Sequence, residues 1–321
     1  MTRVLISCII AFFVPIMIIP AFIKFQKKHN MGQRIRQEGP DLHQHKTGTP
    51  TMGGLIVFLS ILLSLLFYQS GDESVYVVFL LLCGFGFVGF LDDFIKFYKC
   101  RSLGLKARNK IVIQLAVCIS FLVWFYQSEL ITQVIAMPFS GNSIFVPSYI
   151  YIPFVILVFV SSTNAVNLTD GLDGLATGLI IISLIAFAII AFSQNQKDLG
   201  ILSLIIISSC AGFLLFNFYP AKIFLGDVGS LGLGGALAGI AVITGTEFFL
   251  LLIGGVFVIE TLSVIIQVIS IQLRKKPVFR MSPLHHHFEL LKWKEVGIVT
   301  FFWGIGIIFS IIGLFFYPFI N

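Results

Sequence analysis

Ten long runs of apolar residues, separated by polar segments, constrain this 321-residue chain more than any other feature. A helix that spans the hydrocarbon core of a bilayer needs about 20 apolar residues. The runs lie at residues 4–25, 53–68, 75–91, 111–126, 149–163, 175–193, 200–216, 229–246, 248–272 and 296–318. We therefore predict an all-α polytopic integral membrane protein with about ten transmembrane helices, forming a single domain over residues 1–321.

Composition excludes an ordinary soluble domain. The chain is 57% hydrophobic and 11% charged, about half the charged fraction of a typical soluble protein. Lys24, Lys27 and Lys28 follow the first run without a small-residue cleavage site, so we expect a retained first helix rather than a signal peptide. The five cysteines are scattered and form no Cys-x-x-Cys pair, which favours packing roles over disulfides or a zinc site.

The distribution of basic residues predicts the orientation. With ten spans both termini lie on one side, and alternate loops form two sets. One set comprises residues 26–52, 92–110, 161–175, 217–231 and 272–295. Of the 21 Lys and Arg residues, all except Arg3 and Lys197 lie in this set or at its edge. Because basic loops remain in the cytoplasm, we predict that this set is cytoplasmic and that both termini are extracytoplasmic. Nothing else in the sequence favours nucleic-acid binding.

Adjacent carboxylates end the third run at Asp92 and Asp93. Charged groups at a membrane edge are costly to place and are often functional. On a helix Asp92 and Lys96 form an i, i+4 pair, which is the plain structural alternative, but it leaves Asp93 unexplained. Paired carboxylates hold Mg²⁺ or act as a general base. Lys110 follows in the same predicted cytoplasmic loop.

The fifth run continues into polar residues at every third position: Asn164, Asn167, Asp170 and Asp173. If this stretch is helical, they form one polar stripe at the cytoplasmic end. The alternative is that Thr169 or Asp170 caps the sixth helix, with Asp173 in its first turn. An EF-hand is excluded because Ile181 occupies the position that requires Glu. Four polar residues in register exceed the needs of a cap, which favours a binding face.

The other cytoplasmic loops also carry reactive side chains. Residues 217–230 contain Asn217, Phe224 and Asp227, and the glycines beside Asp227 favour a metal or phosphate site. The first loop offers a cation, Lys46, and hydroxyls that include Thr51, without a nucleotide P-loop pattern. The last loop predicts a helix with Ser282 as its N-cap and the histidines 285–287 in its first turn, where phosphate binds favourably. Glu260 lies inside the ninth run, and its role stays open.

These segments resemble the signature loops of polyprenyl-phosphate N-acetylhexosamine-1-phosphate transferases. The resemblance rests on Asp92-Asp93, Asn164–Ala176, Asn217–Ser230 and His285–His287. The segments Gly48-Thr-Pro-Thr-Met-Gly-Gly54 and Met281-Ser-Pro-Leu-His-His-His-Phe-Glu289 are similar to the phospho-N-acetylmuramoyl-pentapeptide-transferase branch in particular. The resemblance extends over essentially the whole chain, with every motif on the predicted cytoplasmic side.

The resemblance implies a homodimeric ten-helix enzyme of the bacterial plasma membrane, with its active site at the cytoplasmic face. It would transfer phospho-N-acetylmuramoyl-pentapeptide from UDP-MurNAc-pentapeptide to undecaprenyl phosphate, giving lipid I and UMP. Asp227 would bind Mg²⁺, and Asp92 or Asp93 would deprotonate or orient the lipid phosphate, with a two-step route through an Asp nucleophile left open. The residues implied to bind substrate are Lys46, Thr51, Lys96, Lys110, Asn164, Asn167, Asp170, Asp173, Asn217, Phe224, His285, His286 and His287.

Two other functions fit parts of the pattern. A sister transferase would use UDP-N-acetylglucosamine, and only donor choice separates it from the first reading. A transporter would carry its substrate residues near the middle of the membrane. Here the polar motifs gather at one predicted face and only Glu260 lies deep, which favours an enzyme.

Overall fold

The computed structural model describes residues 2–29, 32, 46–99, 101, 103–128, 130 and 132–317, with the backbone alone at 126–128. Its helices are α1 Thr2–Lys28, α2 Gly54–Tyr68, α3 Glu73–Tyr98, α4 Ala107–Ser128, α5 Ser148–Thr169, α6 Leu175–Ser193, α7 Lys197–Asn217, α8 Gly226–Ile243, α9 Glu247–Ile253, α10 Gly255–Arg274, α11 Leu284–Leu290 and α12 Glu295–Phe315. Two short strands, β1 Val134–Ala136 and β2 Ser143–Phe145, pair antiparallel between α4 and α5.

The predicted all-α polytopic fold is confirmed. Among the described residues, nine helices are long and apolar enough to cross a membrane, and α2 is a shorter apolar helix of 15 residues. Together these account for the ten predicted runs. The protein is therefore a multi-pass membrane protein, while the side on which its termini lie stays a prediction.

The helix α8 lies at the centre of the bundle. In α8, 89% of the residues are buried, whereas only 17% of the residues in the most apolar part of α4 are buried. The glycine-bearing helices α3 and α8 approach closely, so that a Cβ on Gly235 would lie 2.4 Å from Cδ2 of Phe85. In lipid, such helix contacts depend on van der Waals packing between small residues, so these glycines fix the spacing of the two helices.

Three local features differ from the sequence predictions. The ninth run is two helices that meet at Gly254, because two adjacent glycines weaken the helix there and Gly255 packs against the ring of Phe309. The β1–β2 hairpin was not predicted, and its Ala136 N–H donates to the Gly245 carbonyl, which links it to the turn after α8. The predicted short helix α11 is present, but its N-cap is Pro283 rather than Ser282.

Candidate active site

Three carboxylates from two helices form a compact cluster. Asp92 and Asp93 lie near the end of α3, and Asp227 is the second residue of α8. One oxygen from each lies within 4.8 Å of the others. Asp92 and Asp93 are buried, while the Asp227 side chain keeps 18% of its surface exposed. We call Asp92, Asp93 and Asp227 the carboxylate cluster.

Glycine brings the two helices close enough for this cluster to form. A Cβ on Gly89 would lie 2.0 Å from the carbonyl oxygen of Asp227. Gly226 adopts φ +75°, a conformation that favours glycine, and a Cβ there would also meet the Asp93 carboxylate. The backbone N–H of Val228 donates to Asp93 Oδ2 at 3.4 Å. The start of α8 therefore presents its backbone to α3, beside Gly89 and the Asp93 carboxylate.

Two lysines neutralise part of the cluster. Lys96 Nζ lies 2.7 Å from Asp92 Oδ2, 3.1 Å from Asp93 Oδ1 and 3.2 Å from Asp227 Oδ2. Lys110 Nζ lies 2.9 Å from Asp227 Oδ2. Three carboxylates facing two ammonium groups leave an excess of negative charge. Because Mg²⁺ prefers oxygen ligands and is usually held by one or two protein carboxylates, this cluster offers enough donors for that ion.

The two asparagines at the end of α5 have different surroundings. Asn167 Nδ2 donates to Asp227 Oδ1 at 3.0 Å and to Ser230 Oγ at 2.9 Å, while its Oδ1 accepts from Lys110. Asn167 therefore orients Asp227. Asn164 instead donates to Gln114 Oε1 on α4 and to the Val160 carbonyl. Of this pair, Asn167 is the one hydrogen-bonded to the carboxylate cluster.

A second charged cluster joins the first loop, the link between α5 and α6 and the start of α12. The Lys46 ammonium donates to Asp173 Oδ1 at 2.7 Å and also to Glu295 Oε1. The Asp173 N–H donates to the same Glu295 oxygen at 2.8 Å, and Asp173 Oδ2 accepts from the Ala221 N–H. We call Lys46, Asp173 and Glu295 the clasp. Glu295 was missed from the sequence, because an acidic residue at a helix start is ordinarily explained by the helix dipole.

Asp170 and Lys46 have shifted pKa values. Asp170 is half-buried, and its desolvation, with the charges of Asp227 and Asp93, raises its pKa to about 8. Burial lowers the pKa of Lys46, but the charges of Glu295 and Asp173 outweigh it and raise the pKa overall.

The proposed cap on α6 is wrong: Asp170 follows the last residue of α5, and α6 begins after Gly174 without a side-chain cap.

Three predicted residues support the loop before α8. Both polar side-chain atoms of the buried Asn217 are bonded within the protein, Nδ2 to the Ile223 carbonyl and Oδ1 to the Thr177 hydroxyl. The backbone of Thr51 exchanges two hydrogen bonds with the Gln26 side chain. Phe224 is half-buried, and its N–H donates to the Pro50 carbonyl. Of these contacts, the bond from Phe224 to Pro50 joins the first loop to the segment that carries Asp227.

The three histidines have different partners. His285 is fully buried, with Nδ1 3.2 Å from Glu260 Oε2, and its Nε2 faces Gly171, where a Cβ would approach to 2.2 Å. His286 Nδ1 lies 2.6 Å from Glu289 Oε2. His287 Nδ1 accepts from the Arg280 N–H. The intramembrane Glu260, whose role the sequence left open, therefore faces His285, which packs against the link that carries Asp170 and Asp173.

The structure thus gathers the predicted residues into connected groups. One group surrounds Asp227, the clasp holds Lys46 and Asp173, and His285 lies against the α5–α6 link between them. The long-range partners Glu295 and Glu260 could not be read from local patterns, because they lie 249 residues from Lys46 and 25 from His285 respectively.

Residues 75–245 match the model of glycosyl transferase family 4. A phospho-N-acetylmuramoyl-pentapeptide-transferase of Halalkalibacterium halodurans is 48% identical over 97% of this chain and 96% of its own length. Proteins of the same name from Bacillus subtilis and Oceanobacillus iheyensis are 43% and 47% identical, over 97% and 98% of both chains. The matched residues include both helices of the carboxylate cluster. The chain belongs to glycosyl transferase family 4 and, within it, to the phospho-N-acetylmuramoyl-pentapeptide-transferases.

Proposed function

We propose that the chain transfers phospho-N-acetylmuramoyl-pentapeptide from UDP-MurNAc-pentapeptide to undecaprenyl phosphate. An oxygen of the lipid phosphate forms a bond to the sugar-linked phosphorus, and the bond from that phosphorus to UMP breaks. The products are lipid I and UMP. The names of the relatives support the donor, and the position of the site at the ends of membrane-spanning helices suits a lipid acceptor.

The observation that carries this proposal is the carboxylate cluster with its two lysines. Both substrates are anions that repel one another, so their reaction requires positive charge beside a group that handles a proton. Lys96 and Lys110 supply ammonium groups within 3.2 Å of Asp227. Asp92 or Asp93 accepts the proton of the lipid phosphate or orients its oxygen.

The chain's oxygen donors fit a Mg²⁺ ion, with Asp227 as the proposed ligand and Asp92 and Asp93 beside it. Charge neutralisation on the diphosphate is the chemistry that such an ion supplies when bound. Asn167 and Lys110 orient the Asp227 carboxylate through its two oxygens. Asp170, Asp173 and Phe224 lie on the adjoining loops and are proposed to bind the nucleotide–sugar.

We further propose that the site faces the cytoplasm of a bacterial plasma membrane, with both termini outside. The asymmetry of Lys and Arg between the two sets of loops supports this orientation. Donor and UMP are soluble anions, and a cytoplasmic face gives them direct access. Homodimerisation, implied by the family resemblance, stays a prediction.

The test is release of UMP from UDP-MurNAc-pentapeptide by protein in detergent. Reactions with and without undecaprenyl phosphate, and with Mg²⁺ or excess EDTA, run in parallel with UDP-N-acetylglucosamine as donor. We expect release only from the muramoyl donor, and only when both lipid and Mg²⁺ are present.

Two results would contradict the proposal. Release from UDP-N-acetylglucosamine alone would assign the chain to the sister reaction. Absence of release from either donor, in protein that is folded and monodisperse, would remove the transferase assignment. Full activity in EDTA would leave the transfer reaction in place and remove Mg²⁺ from it.

A further inference from the structure

Glu295 is a largely buried acidic residue that the proposed reaction does not use. It is the first residue of α12, and its side chain is 11% exposed. Its Oε1 accepts hydrogen bonds from the Lys46 ammonium and from the backbone N–H of Asp173. One carboxylate oxygen therefore joins a lysine of the first loop to the link between α5 and α6.

The contacts of Glu295 extend to the segment before α8. Asp173 uses one carboxylate oxygen for Lys46 and the other for the N–H of Ala221. Four chain segments thus meet at the clasp: the first loop, the α5–α6 link, the α7–α8 link and the start of α12. The two links carry residues proposed to bind the nucleotide–sugar donor, and Lys46 of the first loop is among the residues that the family resemblance implies to bind substrate.

A role for Glu295 in the helix dipole alone does not explain this geometry. Acidic residues that stabilise a helix start are ordinarily solvated, and the effect is small. Glu295 is instead directed at two donors outside its own helix, and burying an ion pair has a desolvation cost that offsets much of its attraction. Two carboxylates also share the single charge of Lys46, so the clasp fixes positions rather than offering a free cation.

We infer that Glu295 is a positioning residue for the nucleoside-diphosphate-sugar donor: it holds Lys46 and the α5–α6 link in the arrangement that binds the donor. This inference rests on the proposed function. Glu295 acts through Lys46 and Asp173 and does not itself touch the reacting atoms.

Kinetics of Glu295→Ala and Glu295→Gln test this role. The alanine variant loses the acceptor of both hydrogen bonds, and we expect the KM for UDP-MurNAc-pentapeptide to rise about tenfold or more, with kcat within about threefold of wild type. The glutamine variant keeps an Oε1 acceptor and should recover most of the affinity. In a Lys46→Ala background, Glu295→Ala should raise KM much less, because the two residues act as a unit.

A purely structural role gives a different result. Partial unfolding lowers the active fraction, so the apparent kcat falls while KM stays unchanged in the molecules that remain folded. Glu73→Ala is the matched control, since Glu73 is also the first residue of a spanning helix and bonds to Trp124 instead of the clasp. We expect this control to change neither constant.

Hydrogen exchange of the substrate-free protein tests the contact without any turnover. In Glu295→Ala, the peptide that contains the Asp173 amide should exchange about tenfold faster or more, whereas Glu295→Gln and Glu73→Ala should resemble wild type. If wild-type protein fails to turn over the donor, the proposed function fails. Hydrogen exchange still shows whether Glu295 bonds to the Asp173 amide. Unchanged exchange, or a loss of kcat with unchanged KM in both Glu295 variants, would overturn the inference.

Discussion

At the residue scale, Asp227 connects most of the proposed catalytic groups. Its Oδ1 accepts from Asn167, and its Oδ2 lies near both Lys110 and Lys96. Asn167 lies on α5, Lys110 at the start of α4 and Lys96 on α3. The Gly-rich loop identified Asp227 from the sequence, but its partners could not be identified there, because they are separated from it along the chain.

Replacing Asp227 by Asn should abolish turnover and leave the fold intact. Asn has the same shape and can still accept from Lys110, but it lacks the negative charge proposed to bind Mg²⁺. We expect UMP release to fall by about 100-fold or more. Thermal unfolding and size-exclusion profiles in detergent should stay near those of wild type.

The matched control is Asp198→Asn, which alters a carboxylate bonded to Tyr68 and Ser70 away from the cluster. It should retain wild-type turnover. Near-normal UMP release from Asp227→Asn would remove Asp227 from the metal-binding role.

Asp170 should make stability depend on pH. Its pKa is raised to about 8 in the folded protein, against about 4 in an unfolded chain. Below pH 4 the carboxyl is protonated in both states; as pH rises to 8 only the unfolded state ionises, so this contribution to stability is lost. Asp170→Asn should therefore gain Tm relative to wild type at pH 8.5 but not at pH 4.

The shift in Tm is measured in EDTA, so that metal occupancy does not change with pH. Asp170 keeps some contact with solvent, which reduces the effect to on the order of 2–4 °C. Asp198→Asn serves as control. Equal Tm differences at the two pH values would contradict a raised pKa at Asp170.

At the element scale, the contact between α3 and α8 determines where the cluster can form. The central helix α8 is largely buried, and α3 approaches its first turn through Gly89. The long apolar runs predicted that these helices exist. The runs could not predict the break at Gly254 or the β1–β2 hairpin, since the first lies within continuous apolar sequence and the second lies in the link between two runs.

Gly89→Ala should displace the two halves of the cluster. The added methyl would overlap the backbone carbonyl of Asp227, and a backbone atom cannot move aside as a side chain does. We expect a loss of about 1–3 kcal/mol of stability and a larger proportional loss of UMP release.

Gly84→Ala is the control on the same helix. Its methyl would meet the Val117 side chain at 3.1 Å, which can adjust. This variant should keep most of its activity. If both variants lost activity equally, the backbone contact at Gly89 would not be what positions the cluster.

At the scale of the whole molecule, basic residues and proposed site residues occur on the same set of loops. The side chains of Lys275 and Lys276, which follow α10, are exposed, as is Lys197 at the start of α7. Charge counting assigns Lys276 to the cytoplasm and Lys197 to the opposite side. Orientation could be predicted because it depends on a sum over many residues.

A membrane-impermeant maleimide tests this orientation. Single cysteines are introduced by Lys276→Cys or Lys197→Cys, in a background with Cys100→Ser because Cys100 lies in a predicted cytoplasmic loop. Lys276→Cys should label in inverted vesicles and Lys197→Cys in spheroplasts, while the background protein labels in neither. The reverse pattern would invert the proposed topology.

The site was only partly predictable, because its long-range contacts depend on the packing of the whole molecule. Motifs within one loop, such as Asp92-Asp93, appear as local patterns. Contacts such as Glu260 with His285, or Lys46 with Glu295, depend on how distant helices pack. No local period or spacing encodes such contacts.

The clasp has a consequence for how the protein is made. Its three residues span positions 46 to 295, so a chain emerging from the ribosome carries Lys46 and Asp173 long before Glu295 exists. Until α12 is inserted, the buried ammonium of Lys46 and the Asp173 amide lack their shared acceptor. The proposed donor site is therefore completed only once α12 is inserted, and a chain that stops before α12 would have its carboxylate cluster in place without the acceptor that joins Lys46 to Asp173.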